Sequence, residues 1–187
     1  MPGYQNFEFS VFITTQDIIR IFSDDETAKC ELAFFTKHTK LSKVYVEYFR
    51  GEVTPLPLLL KARDFFNANG IKTAVGIMPV SSHFEVTGRM LCFTNPEVIS
   101  IFHDGLAGMA KYFDEIMIDD SLSTDCTCER CRAAKGDRDW QSFRTEYMAD
   151  FCRDHIIAPA KAINPNVKIT LKYPTWHESF QWLGYNT

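Results

Sequence analysis

Four of the six cysteines fall in two short stretches: Cys92 in LCFTNPEV (91–98), and Cys126, Cys128 and Cys131 in DCTCERC (125–131). Sulfur at this spacing can do three things. Disulfide pairing needs an oxidising compartment, and the start MPGYQNFEFS has neither the basic nor the apolar region of a secretion signal. A dithiol redox pair needs C-x-x-C at a helix start, which Cys128 and Cys131 offer, but Cys126 then has no part. Four thiolates closing a tetrahedron around zinc use every member. An all-thiolate set leaves no open position, so the metal would be structural. Cys30 and Cys152 lie on predicted helices and read as buried bystanders. His38, His83, His103 and His155 show no ligand spacing.

The other residues able to do chemistry are carboxylates, bases and aromatics in pairs: Glu47 with Arg50, Asp119 with Asp120, Lys172 with Tyr173, and Trp176 with His177. Carboxylates among aromatics suit a sugar site, where one acid protonates a glycosidic oxygen. Each also has a plain alternative. Glu47 can simply pair with Arg50, one of the two aspartates can cap a loop, and Tyr173 and Trp176 can be core.

What must position them is an alternation of strands and helices. Strands are expected at 7–15, 43–49, 71–80, 114–120 and 167–176, where β-branched and aromatic residues run together. Helices are expected at 25–39, 55–70, 94–113 and 140–163; the second has Pro near its start and Asn-Gly at its end, and the third opens on Thr-Asn-Pro-Glu. This is an α/β chain with parallel βα repeats and right-handed crossovers. Five strands fit either a small doubly wound sheet or the N-terminal five-strand part of a TIM (β/α)8 barrel. No glycine-rich phosphate loop follows the first strand, and the barrel is the reading taken, as a single partial domain over 1–187. In either fold chemistry sits at the carboxyl ends of the strands, where the paired residues fall. The loops after the third and fourth strands then lie side by side, which brings Cys92 to the other three cysteines.

Composition excludes several classes of function. A formal net charge of −4 gives no basic footprint for nucleic acid or for a membrane surface. No apolar run approaches the ~20 residues of a membrane span. The expected location is cytoplasmic as written, while longer relatives could be secreted. Sixteen Phe and seven Tyr are a heavy aromatic load, read first as core.

An acidic pair ending a strand, then C-x-C-x2-C, with one upstream cysteine before Asn-Pro, resembles the catalytic barrel of the glycoside hydrolase family 42 β-galactosidases. FDEIMIDDSLSTDCTCERC, AKGDRDWQSFR and KYPTW look closer still to uncharacterised glycosidase-like bacterial barrels. The resemblance covers most of the chain and is best over 91–187. It implies a zinc site at Cys92, Cys126, Cys128 and Cys131 beside the barrel mouth. It places the acid/base at Asp120, with Asp119 beside it, where the family has Asn-Glu. Aspartate is one methylene shorter, which displaces the carboxyl. The family's nucleophile lies on a later strand.

The implied reaction is hydrolysis of a glycosidic bond in a carbohydrate substrate, held by Glu47, Arg50, Tyr173, Trp176 and His177. Alone, the chain should turn over little or nothing, and an open sheet edge favours homo-oligomers. Two rivals stand beside this: a non-catalytic, zinc-stapled carbohydrate-binding or interaction module, and a metal-dependent hydrolase using Asp119, Asp120 and Glu47 as oxygen ligands.

Overall fold

The computed structural model of the chain describes residues 6–81, 90–119, 122–172 and 182–184. Strands β1 (Ser10–Ile13), β2 (Lys43–Gly51), β3 (Lys72–Ser81), β4 (Glu115–Ile118) and β5 (Lys168–Leu171) form one sheet in the order β1-β2-β3-β4-β5. All four pairings are parallel. Strand order equal to chain order decides between the two expected folds. A doubly wound sheet reverses direction at a switch point. Here every right-handed crossover advances the same way, so the helices share one face and the other face is the inside of a barrel wall. The fold is the α/β arrangement of five consecutive (β/α)8 strands.

The first crossover differs from the sequence expectation. A helix α1 (Thr15–Phe22) starts immediately after β1, capped by the Thr14 hydroxyl, which accepts from the Asp17 N–H at 3.2 Å. It buries Ile18 and Phe22 and is the element that covers the sheet. The helix expected at 25–39 is α2 (Asp25–His38), whose one buried residue is Ala28. Cys30 on it is exposed and not buried as expected, whereas Cys152 is buried. α1 was missed because it is only two turns long and follows an apolar strand without a break in hydrophobicity. The second crossover is α3 (Leu56–Ala68), which starts at a proline-rich first turn and ends before Gly70 at φ 73°.

The last two crossovers are irregular for a common reason. The third runs as α4 (Pro96–Ser100), a π segment (Ile101–Leu106) and a 3-10 turn (Ala107–Lys111). Four of its buried residues, Val98, Phe102, Leu106 and Ala110, recur every four positions. Such spacing drifts around an α-helix of 3.6 residues per turn, and a wider π turn brings it back onto one line. The fourth comprises α5 (Glu129–Lys135), α6 (Trp140–Cys152), a π segment (Arg153–Ile157) and α7 (Ala158–Ile163). There Phe143, Tyr147, Phe151 and His155 make a ladder of rings at the same spacing, 4.9–6.4 Å apart. Phe93 wedges between the two crossovers, its ring 5.5 Å from Phe102 and 4.9 Å from Phe151. Phe93, Phe102, Phe143 and Phe151 are all nearly inaccessible, so this part of the aromatic load is core.

On the inner face small residues of β3 let longer neighbours meet. Tyr45 is in register with Ala74, and Glu47 with Gly76. Lys43 and Tyr45 on β2 reach over β3 to Glu115 on β4, at 2.7 and 2.8 Å. Phe12 of β1 lies directly over Gly76 and stacks on Tyr45 at 6.4 Å. Contacts that skip a strand tie the wall together across its concave side.

On the outer face Gly105, in the π segment, sits against the buried Tyr48, and a Cβ there would collide with the tyrosine hydroxyl. Gly105→Ala is therefore expected to cost about 1–3 kcal/mol of unfolding free energy in urea, as overpacking does. Tyr48→Phe in the same chain should recover part of it. Additive losses in the double variant would show that the two positions do not meet.

Candidate metal centre and strand-end cluster

Cys92 lies in the loop after β3, and the other three cysteines in the loop after β4, which β3–β4 pairing makes neighbours. All four sulfurs lie within 4.8 Å of one another. Cys92 Sγ is 3.6 Å from Cys128 Sγ and 3.7 Å from Cys131 Sγ. The edge of an S4 tetrahedron with ~2.3 Å metal–sulfur bonds is about 3.8 Å, so the donor set fits a four-coordinate ion. Among the described residues these four are the one group of three or more Cys, His, Asp or Glu placed to hold a metal. None of the six cysteines is in a disulfide.

Local structure explains the convergence. Cys128 is the N-cap of α5 and Cys131 lies in its first turn, so both sulfurs face the same side. The Asn95 N–H donates to the Cys92 carbonyl at 2.9 Å, closing a turn, and the Asn95 side chain caps α4. The buried Thr124 joins the two loops: its hydroxyl donates to the Leu91 carbonyl at 2.9 Å and accepts from the Cys126 N–H at 3.1 Å. Tyr147 donates to the Phe93 carbonyl at 2.9 Å. The Thr94 hydroxyl is 3.2 Å from both Cys92 and Cys131. The sulfurs differ in their readiness to ionise. The backbone N–H of Cys131 is the largest influence on Cys128, whose pKa is lowered to about 6. Burial pushes Cys126 and Cys131 up.

The second cluster lies at the carboxyl ends of β2, β4 and β5. Glu47 is fully buried and accepts from the Thr15 N–H at 2.6 Å. Arg50 Nε donates to both its oxygens, at 2.9 and 3.0 Å. The guanidinium lies over the Phe12 ring at 6.0 Å. The strand is irregular here, with register shifts after Glu47 and Gly51 at φ 72°. The chain then turns back, and Thr54 donates from its backbone N–H to the Tyr48 carbonyl and from its hydroxyl to the Glu47 carbonyl. Asp119, just past β4, is paired with Lys172, just past β5, at 2.6 Å. Asp120, Tyr173, Trp176 and His177 lie outside the described residues.

Thr94, Thr124, Arg144 and Tyr147 were given no role from the sequence, although the first three lie within the motifs quoted above. Their distant hydrogen-bond partners are 19 to 54 positions away, and a lone threonine, arginine or tyrosine carries no spacing. The Glu47–Arg50 pairing, three residues apart, was legible.

Burial raises the Glu47 pKa above its ordinary 4.5, against hydrogen bonds from Arg50 and Thr15. Folding therefore takes up a proton, and the stability this lends is full below the unfolded-state value and lost as pH rises through the folded one. Wild type should thus lose ground to Glu47→Gln as pH is raised above 4.5, in urea titrations at successive pH values. An advantage that grows with pH would mean that Arg50 outweighs burial.

Compared with known proteins, the whole chain, residues 1–187, matches the family model described as "Probable glycosyl hydrolase, catalytic domain". An uncharacterised protein of Saccharolobus solfataricus is 24% identical over 209 residues, covering 96% of this chain and 34% of its own length. The chain thus spans about a third of that curated relative. No solved structure matches it. No helix among the described residues is long and apolar enough to cross a membrane. The chain belongs to the family of probable glycosyl hydrolase catalytic domains.

Proposed function

We propose that this chain is the acid/base-bearing part of a glycoside hydrolase barrel, stapled by structural zinc, and related in design to the family 42 β-galactosidases. The observation that carries the reading is the family match over the full chain together with charged residues at the carboxyl ends of β2, β4 and β5. Asp120 donates a proton to the leaving glycosidic oxygen, with Asp119 beside it. Arg50, aimed by the buried Glu47, holds the sugar together with Tyr173, Trp176 and His177. Hydrolysis also needs a second carboxylate, as nucleophile or base on the opposite side of the sugar. In the resemblance that group comes from a later strand.

Zinc held by Cys92, Cys126, Cys128 and Cys131 has no open position and supplies a cross-link between the loops after β3 and β4. A reading with Glu47 and Asp119 as oxygen ligands of a catalytic ion is less favoured. Both Glu47 oxygens are taken by Thr15 and Arg50, and Asp119 is paired with Lys172. β1 and β5 are the edges of the described sheet, and association through them belongs to the same proposal.

Metal analysis of the purified chain should find about one zinc per chain, and Cys92→Ser should lose or weaken it. Zinc retained unchanged in the variant would remove Cys92 from the site. For the sugar site, calorimetric titration with mono- and disaccharides is paired with aryl-glycoside turnover. Weak binding reduced at least ~10-fold by Arg50→Ala, with any turnover abolished by Asp120→Asn, is the expected result. Binding without turnover, unchanged by Asp120→Asn, favours the carbohydrate-binding module. No binding of any sugar sinks both.

A further inference from the structure

Arg144, on α6, is only 3% exposed. Its side chain forms no ion pair with a carboxylate among the described residues. Its Nη1 donates to the Trp182 carbonyl and its Nη2 to the Asp125 carbonyl, each at 3.0 Å. Nε has no hydrogen-bond partner among the described residues. The guanidinium sits between two indoles, 4.9 Å from the Trp140 ring and 5.6 Å from the Trp182 ring. A cation taken out of water and given only carbonyls and ring faces is strongly disfavoured unless an anion lies near. The Asp125 carboxylate belongs to an exposed residue, where water screens it. The sulfurs of Cys131 and Cys126 also lie within its field, and Arg144 is bonded to the carbonyl of the residue next to Cys126; with a metal bound, those sulfurs are thiolates. Four thiolates around a divalent ion carry a net charge of −2, and that charge needs a counter-ion as much as the arginine does.

We propose that Arg144 is the counter-cation of the four-cysteine centre, and a positioning residue that ties it to the segment at Trp182–Gly184. The tie is continuous. Arg144 holds the carbonyl of Asp125, next to Cys126, with one arm and the carbonyl of Trp182 with the other. The Thr124 N–H donates to the Leu183 carbonyl at 2.9 Å. Gly184 lies so close to the Arg144 carbonyl and to Met148 that a Cβ would not fit. A filled metal centre keeps Arg144 in place, and Arg144 keeps Trp182–Gly184 folded down on the loop after β4. The inference rests on the metal reading alone and not on the glycosidase one.

The test is zinc affinity, by competition with a chromophoric chelator, for wild type, Arg144→Gln and Arg144→Lys, each checked for folding by circular dichroism. Loss of an outer group of this kind costs ~10–100-fold in metal affinity. Arg144→Gln should fall in that range, and Arg144→Lys, which keeps the charge, should recover most of it. Equal affinity in wild type and Arg144→Gln overturns the proposal. A lysine variant as weak as the glutamine one overturns the role of charge. Should Arg144→Gln fail to fold, amide hydrogen exchange of the wild type decides. Stripping zinc should speed exchange at Thr124 and across Trp182–Gly184, and unchanged exchange there overturns the link. A wild type that binds no zinc removes both this inference and the zinc reading. A wild type that binds it as tightly as Arg144→Gln removes this one alone.

Discussion

Parallel strands wound in one direction put every strand's carboxyl end on the same rim, and most of what is notable in this molecule depends on that constraint. It makes the loops after β3 and β4 neighbours although Cys92 and Cys126 are far apart in the chain. It also sets the Glu47–Arg50 pair and the Asp119–Lys172 pair on one edge. The amino ends face the other way and carry a different set, Lys43 and Tyr45 against Glu115, which links β2 to β4 across the wall.

The rim is held by unequal forces. A single buried hydrogen bond, such as that from Thr124 to Leu91, contributes about 1 kcal/mol net. The Phe93–Phe102–Phe151 cluster buries whole rings, and each such side chain is worth about 2–3 kcal/mol of burial. Structural zinc, where it binds four thiolates, supplies apparent free energies of about 10–16 kcal/mol in small domains. On the zinc reading the metal dominates the order of this rim, and the aromatic wedge at Phe93 sets where it forms. Phe93 stands between Cys92 and Thr94, so the same loop presents a ring to the core and a sulfur to the centre.

Much of the candidate chemistry was readable from spacing. C-x-C-x2-C and the pairing of Glu47 with Arg50 are local, and local patterns survive folding. The apolar runs at 43–49 and 71–80 became β2 and β3 because β-branched and aromatic residues suit a sheet buried by helices. The first crossover was misread for a physical reason. α1 is short and amphipathic, and its Thr14–Asp17 cap is brief, whereas α2 is longer and more helix-like but covers little of the core. Length in sequence and importance in packing are separate properties.

The sequence by itself determined the α/β class, the strands, the candidate sulfur ligands and the acidic pair, because each is written in residue types a few positions apart. The tertiary structure decided between the two expected sheets by making strand order follow chain order, closed the four sulfurs to within 4.8 Å of one another, and alone showed that Glu47 is sealed between Thr15 and Arg50. It alone placed the buried Arg144 on the carbonyl of Asp125, next to Cys126. These are relations between distant parts of the chain. They arise only when burial of the aromatic core fixes which loops share a rim.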